Sequence, residues 1–600
     1  MLLFGYAVTI ALAGMLILLL YSVVKSSDLI ASSLKGRINK QSLAALLLIA
    51  IFFVSFSILY IHPVEELYFD ENIYQGIALN ILHNGNAVWC QYSSGYAINC
   101  PNSQIYHDPA GISFFLAVAF ALFGVGIGTA YNMELAIGLL SIIFMFLLAS
   151  IAFRDKKAAV ASTLAFALLP ELFIWSRTQA VPNLIFMLFT IITFFFFLIF
   201  REKKNAYTLS AFLSSLAITM YMRLEGVLLI AIFGFLYLFM SDDSNNQGLL
   251  RRAEDIIKKF DREMGFMLVL LVFLLAIAPE AYFISYQLSN PQFGQSSSGL
   301  FSLSIFNASV FGVNGYGTCT LFGHAFGPNI CYFAGTFNTV GFYPVMFPQA
   351  TTALALVGLL VLIIYSIFRK NEMYNVMLIA ISWILVYHIF YDFFYAGAVT
   401  YGVDVRFMLE IMPPIALLAG VCISEASNIF RLLPKTISGI KWKLEKPKLV
   451  LSYLTYSIII IALLILPFAA SFNELAITPS QQPQQTVILN AMSFFYSNYS
   501  KVPANCLVFS YTPDMWIEQN ISSAQIGMLG SSDPNFTKFA SNFRCFVMDV
   551  GYWCNVPPEI SSKCSGYTTN YRLKPLVVQN YTQSGQNYSF GYYQMLNYKN

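Results

Sequence analysis

The chain is poor in charge. Of its 600 residues only 10% are Asp, Glu, Lys or Arg, and histidine occurs five times. A soluble enzyme carries roughly 25% charged residues, so this composition excludes a globule surrounded by water. The net charge of +3 is too small to imply a nucleic-acid partner, and no basic arm interleaved with aromatics occurs. Heptads and a GxxxG seam are also missing, which leaves no sequence handle on oligomeric state. Cysteine is nearly absent from the apolar runs, and arginine is absent between residues 289 and 350.

What the chain has is apolar length. Hydrophobic residues make up 58%, and runs near twenty residues recur, each able to cross a bilayer as a helix. The class is a polytopic α-helical membrane protein. The first run, "MLLFGYAVTIALAGMLILLLYSVV", lacks a basic start and a small-residue cleavage site, so it reads as a retained helix. Basic clusters follow at 25–40, 154–157, 201–204, 251–263, 369–370 and 441–448. The positive-inside rule puts them all in the cytoplasm. About twelve spans result, near 2–24, 42–62, 131–153, 158–173, 183–200, 207–222, 226–240, 264–288, 351–368, 375–393, 406–427 and 449–471. A crossing by the apolar run 109–127 would invert every later cluster, so it reads as an interfacial or re-entrant helix.

Segments 63–130, 289–350, 394–405 and 472–600 then face outward. Eight of nine cysteines fall in them, and only Cys422 lies in a span. Close spacing makes Cys90–Cys100 and Cys319–Cys331 natural disulfides. In the tail, Cys506–Cys545 and Cys554–Cys564 are the favoured pairs, with other connectivities open. Such cysteine usage implies an oxidising compartment. Every sequon is outward as well, at Asn307, Asn498, Asn520, Asn535, Asn580 and Asn587. The expected organisation is a membrane domain over 1–471 and a small disulfide-pinned α/β domain over 472–600, in an integral protein of the cytoplasmic or plasma membrane. The tail shows no metal-ligand spacing and no Ser/His/Asp arrangement.

Candidate chemistry gathers at the outward edge. Glu65, Glu66, Asp70 and Glu71 open the first outer loop. Ile73, Ile77, Ala78, Ile81 and Leu82 then recur at helical spacing, so "DENIYQGIALNIL" reads as an amphipathic helix with acids in its first turn. Asp70 as a helix cap and Glu71 as dipole complement is the plain structural reading. The same loop ends in His107, Asp108 and Pro109. Glu171 and Arg177 flank one turn, and Arg223 and Glu225 lie between two spans, where they snorkel or pair. Asp404 and Arg406 stand at the lip of a late span, where a guanidinium fork suits a lipid phosphate. Glu410 lies deeper and needs a partner or a function.

These segments resemble a known group. "YFDENIYQGIALNIL" is similar to the Asp-Glu loop of membrane glycosyltransferases of the GT-C fold, among them protein O-mannosyltransferases and lipid A aminoarabinose transferases. "YHDPAGISFFLAVAFALFG" resembles their His-Pro segment, and "YGVDVRFMLEIMPPIALLAG" their late Arg segment. The resemblance implies transfer of a sugar, hexosyl or mannosyl, from a polyprenyl-phosphate (dolichyl-phosphate-type) carrier to a protein, lipid or glycan acceptor. The transfer would occur on the outer face and invert at the anomeric carbon. It also implies Asp70 as base with Glu71 beside it, and Arg406, His107, Arg223 and Arg177 toward the carrier phosphate. Asp108, Glu171 and Asp404 are the candidates for an acceptor or metal contact. Asp108 and Ala110 depart from the aminoarabinose-transferase pattern, and Asn183 stands where several relatives have an acid. A divalent cation (Mg or Mn) is therefore not favoured. The Trp-Trp-Asp-Tyr-Gly motif of oligosaccharyltransferases is absent, which argues against en bloc transfer to asparagine. The alternatives are a secondary transporter, which would show inverted repeats, and a surface-polysaccharide ligase or polymerase, which would show a His- and Arg-rich outer loop.

Overall fold

The computed structural model describes residues 2–61, 63, 69–95, 103–153, 155–177, 180–240, 264–289, 319–321, 324–326, 349–368, 372–390, 409–437, 465, 483–555, 564, 566–567, 569–583 and 586–596. Five described helices are long and apolar enough to cross a membrane: Leu3–Lys25, Lys40–Tyr60, Ile127–Phe153, Pro182–Lys203 and Gly265–Tyr286. Leu3, Ile10, Val24, Leu47, Leu48, Leu268 and Leu275 point large apolar side chains outward from these helices. In water such a belt would be a heavy liability, whereas hydrocarbon solvates it. The chain is an integral membrane protein.

The Pro182–Lys203 helix is the axis of the bundle, buried from Pro182 to Phe200. At about 1.5 Å per residue it is roughly 33 Å long, the thickness of a hydrocarbon core. Its far end carries Glu202, which accepts from Arg37 Nη2 at 3.1 Å, while Arg37 Nη1 donates to the carbonyl of Ile151 at 3.1 Å. Arg201 donates to the Met240 carbonyl at 3.2 Å, and Asp155 Oδ2 accepts from Ser424 Oγ at 2.7 Å. The described charges of three early basic clusters thus lie at one end of the bundle. At the near end, the backbone N–H of Ala180 donates to Glu71.

The Gly111–Phe123 helix has 13 residues, about 20 Å, too short to cross. It follows Asp108 at the Glu71 end and precedes the Ile127–Phe153 helix, whose last turn reaches Arg37. It therefore enters and leaves the bundle on one side. Two expected spans are divided. Residues 158–173 form the Lys156–Ala167 helix and a separate Pro170–Trp175 turn, because Pro170 starts a new helix at its first position. The span expected from 226 begins as a tight turn, Leu224–Val227, before Leu228–Phe239. Later helices are Gln349–Phe368, Glu372–Ile389 and Met412–Ile437, and the span expected at 449–471 lies outside the described residues apart from Ile465.

Ten short strands occur among the described residues: β1 Trp89–Cys90, β2 Tyr92–Ser93, β3 Ser103–Gln104, β4 Cys319–Leu321, β5 His324–Phe326, β6 Cys506–Ser510, β7 Ser523–Gln525, β8 Cys545–Val550, β9 Leu573–Gln583 and β10 Gln586–Met595. β1 pairs with β3 and β4 with β5. The other six form one mixed sheet in the order β2-β7-β6-β8-β10-β9. β6 runs parallel to β7 and β8, and its residues Cys506–Ser510 are all buried, as strands covered on both faces must be. The helices Pro483–Asn498, Pro513–Glu518 and Pro534–Ala540 complete this α/β unit. Cys506–Cys545 joins β6 to β8, and Cys554–Cys564 closes a ten-residue separation.

The sheet is not built by the tail alone. β2 comes from the first outer loop and pairs antiparallel with β7, with Tyr92 packed on Phe539 at 4.8 Å and on Phe536 at 5.2 Å. Cys90, one residue before Gln91, is disulfide-bonded, while Cys100 lies outside the described residues, as do Cys331 and Asn307. Asn520, Asn535, Asn580 and Asn587 are exposed. Asn498 is not: it is 5% exposed and its Nδ2 donates to the Phe494 carbonyl at 2.8 Å.

Candidate active site

The acids of the first outer loop lie in the Phe69–Asn84 helix. Sequence periodicity gave this helix one apolar and one polar face. The structure instead buries every residue from Glu71 to Ile81. The reason is tertiary: the Gly111–Phe123 helix packs on one side and the tail's Pro513–Glu518 helix on another. Gly76 marks the second contact, since a Cβ there would overlap the carboxylate of Asp514. The polar residues Asn72 and Gln75 are buried without a hydrogen-bond partner among the described residues.

Asp70 stands inside the first turn rather than at the cap, because the helix already begins at Phe69. It is half-buried, and its Oδ1 accepts a hydrogen bond from the Tyr106 hydroxyl. Burial, then the negative charge of Asp70, hold the Tyr106 phenol well above its ordinary range, so it remains a protonated donor. The Tyr74 hydroxyl donates to Asp108 Oδ2 in the same way. His107 Nε2 lies 3.8 Å from Asp108 Oδ2, and its ring sits 4.1 Å from that of Tyr106. Tyr74 and Tyr106 meet edge to face at 5.9 Å. Asp70, Tyr106, His107, Asp108 and Tyr74 thus form one half-open cluster.

Glu71 points the other way. It is fully buried and accepts from Ala180 N at 3.2 Å. The buried carboxyls of Glu134 and of the tail's Glu518 lie close enough to interact with it electrostatically. Asp514 accepts from the Trp89 indole at 3.4 Å. Desolvation raises both tail acids to about 8, which keeps them largely neutral against the helix.

The remaining candidates scatter. Arg223 is buried and grips Glu225 through two prongs, Nη2–Oε1 at 2.7 Å and Nε–Oε2 at 3.2 Å. Its Nη1 donates to Asn183 Oδ1 at 3.3 Å, and Asn183 Nδ2 donates to Glu410 Oε1 at 3.3 Å. An amide can accept from an arginine and donate to a carboxylate at once, which suits asparagine at 183. Arg177 Nη1 reaches Asn132 at 3.4 Å, and Glu171 is buried without a hydrogen-bond partner among the described residues. Asp404 and Arg406 lie outside the described residues. No group of three or more His, Cys, Asp or Glu side chains suited to a metal occurs among the described residues.

Sequence reasoning missed Tyr106, Tyr74 and the tail's Asp514. Tyr106 carried a signal, being next to His107 in an acid-bearing loop. Asp514 carried none, since only folding brings residue 514 to helix 69–84.

Residues 107–283 match the family described as dolichyl-phosphate-mannose-protein mannosyltransferase. The match covers less than a third of the chain, and the helical bundle with a small sheet domain is of the GT-C type. Among solved structures, the chain is similar to the Archaeoglobus fulgidus oligosaccharyltransferase tethered to an acceptor peptide, at 14% identity and a TM-score of 0.47, covering 92% of this chain and 74% of that one. It is also similar to ArnT from Cupriavidus metallidurans bound to undecaprenyl phosphate, at 12% identity and a TM-score of 0.48, covering 92% and 98%. The S. cerevisiae protein O-mannosyltransferase Pmt1-Pmt2 complex bound to its sugar donor is more distant, at 14% identity and a TM-score of 0.29, covering 48% and 39%. These likenesses are too remote to assign a substrate. No curated protein sequence matches the chain.

Proposed function

We propose that the chain transfers a sugar, of the hexosyl or mannosyl type, from a polyprenyl-phosphate carrier to a protein, lipid or glycan acceptor at the outer membrane face. The observation that carries the reading is the placement of Asp70. It is a half-buried carboxylate at the end of the bundle opposite the basic clusters, inside the loop that runs into the matched residues 107–283. The relatives described above are bound to undecaprenyl phosphate, a sugar donor or an acceptor peptide, which supports the same partners here.

In this reading Asp70 takes the proton of an acceptor hydroxyl as that oxygen attacks the anomeric carbon. The bond from that carbon to the phosphate oxygen breaks, and the lipid phosphate leaves with the electron pair, inverting the centre. The leaving group is already a stable anion, so one positioned base suffices. The Tyr106 hydroxyl fixes the orientation of Asp70. Arg406 and His107 would meet the departing phosphate, where positive charge or a donor stabilises the developing anion. Glu71 anchors the helix to Ala180 and holds Asp70 in register. The organisation proposed is a membrane domain over 1–471 carrying this site and an outward domain over 472–600 that covers it.

The test uses full-length protein in lipid with short polyprenyl-phosphate mannose and glucose, following release of polyprenyl phosphate, with and without chelator. Turnover that vanishes in Asp70→Asn supports the reading. Equal release by wild type and variant would sink it.

A further inference from the structure

The tail domain holds an open, shallow pocket that the transfer reaction does not use. Its floor is Asp549 at the end of β8, and its walls include Tyr511, Trp553, Ser510 and Thr512. Asp549 Oδ2 accepts twice, from Ser510 Oγ at 2.8 Å and from the Trp516 indole at 3.0 Å. Oδ1 accepts nothing from the described residues and is not sealed from solvent. Gly551 keeps that oxygen open, since a Cβ there would stand 3.2 Å from it. Tyr511 and Trp553 are half-exposed, with ring centroids 6.5 Å apart.

We propose that this pocket binds one neutral hexose unit of a glycan, its ring carbons against Tyr511 and Trp553 and its hydroxyls donating to Asp549 Oδ1. Each part of the site has a matching part of a sugar. Aromatic faces cover the apolar C–H side of a pyranose ring. An oriented carboxylate oxygen accepts from hydroxyls with a charge-assisted bond. The Ser510 hydroxyl is engaged in orienting Asp549, and the Thr512 hydroxyl, 3.4 Å from it, is a second polar group of the lining. Burial raises Asp549 only to about 6, because the bonds from Ser510 and Trp516 favour its charged form, so the acceptor persists at neutral pH. Asp549 is the one charged residue lining the pocket, and two donors already share its charge, which favours a neutral ligand over a cation.

The pocket is mechanically tied to the first outer loop. Trp516 bonds Asp549 from the Pro513–Glu518 helix, whose Asp514 accepts from Trp89 beside helix 69–84. The inference does not rest on catalysis and stands or falls by itself.

The test is saturation-transfer NMR on the full chain in lipid nanodiscs. The probes are the methyl glycosides of mannose, glucose and galactose, together with N-acetylglucosamine, and benzyltrimethylammonium is the cationic comparison. Saturable transfer to the ring protons of at least one sugar is expected. It should weaken about fivefold or more in Gly551→Ala, where the added methyl crowds Oδ1, and in Tyr511→Leu, where a stacking face is lost. Asp70→Asn should leave it unchanged, which separates this pocket from a donor-sugar site. No transfer from any sugar would overturn the proposal, as would sugar transfer indifferent to both tail variants. Saturable binding of the ammonium alone, lost in the same variants, would overturn it too.

Discussion

Two polar regions of this bundle use buried charge in opposite ways. In one, Glu225, Arg223, Asn183 and Glu410 form a buried chain in which arginine meets a carboxylate on two prongs and an amide joins the next acid. At the rim, Asp70 and Asp108 take hydrogen bonds from neutral tyrosine hydroxyls. A carboxylate saturated by a buried guanidinium is a poor base, because its charge is already spent on the pair. A carboxylate oriented by a phenol keeps its negative charge while losing rotational freedom. Under the proposed reading, partner type, more than burial, separates an acid that holds the fold from one that is poised to react.

That comparison can be broken experimentally, and the largest effect belongs to the rim. Asp70→Asn keeps the shape and loses the base, so release of polyprenyl phosphate should fall about 10²–10⁴-fold while the melting temperature holds. An unfolded variant would show instead that Asp70 is structural. The buried chain should respond in reverse. Arg223→Met leaves Glu225 buried without its cation, so unfolding in nanodiscs should show a loss of about 3–5 kcal/mol, and adding Glu225→Met should restore most of it. If Arg223→Met melted like wild type yet abolished turnover, the chain would belong to the site rather than the scaffold. Tyr106→Phe removes only the orienting donor, and roughly tenfold slower turnover with the same substrate affinity is expected.

A separate effect is the pH dependence of docking between the tail and helix 69–84. Asp514 has a folded value near 8 against 3.8 for the ordinary group. The folded state therefore binds more protons than the unfolded one between those values. Its contribution to stability is full at the acid end, declines as pH rises from about 4 to about 8, and is level above. Thermal unfolding across that range should show this decline, and Asp514→Asn should flatten part of it. A stability that rises over the same interval would reverse the assignment.

How far these features were legible in the sequence differs from residue to residue. The helices at 2–25, 40–60 and 182–203 announce themselves through uninterrupted apolar length, which no tertiary contact is needed to specify. Helix 69–84 was legible as a helix, and its acids as candidates, because the signal is local spacing. Its burial on every side was not legible, since part of its cover comes from residues 513–518, over four hundred positions away. Asn183 looked like a departure from an acidic pattern, and only its two partners, Arg223 and Glu410, explain why an amide stands there.

The sequence by itself determined the class: apolar runs of bilayer length, charge swept to their ends, and eight of nine cysteines outside them leave a polytopic membrane fold as the one solvable arrangement. Tertiary structure decided everything that depends on who meets whom. It lent β2 from the first outer loop to the tail's sheet, laid Asp514 and Glu518 over the acid-bearing helix, and gave Arg223 a carboxylate while giving Asp70 a phenol. The reason is range. Hydropathy acts residue by residue along the chain, whereas the character of a charge is set by the few ångströms around it, and those neighbours arrive from distant sequence only when the chain has folded.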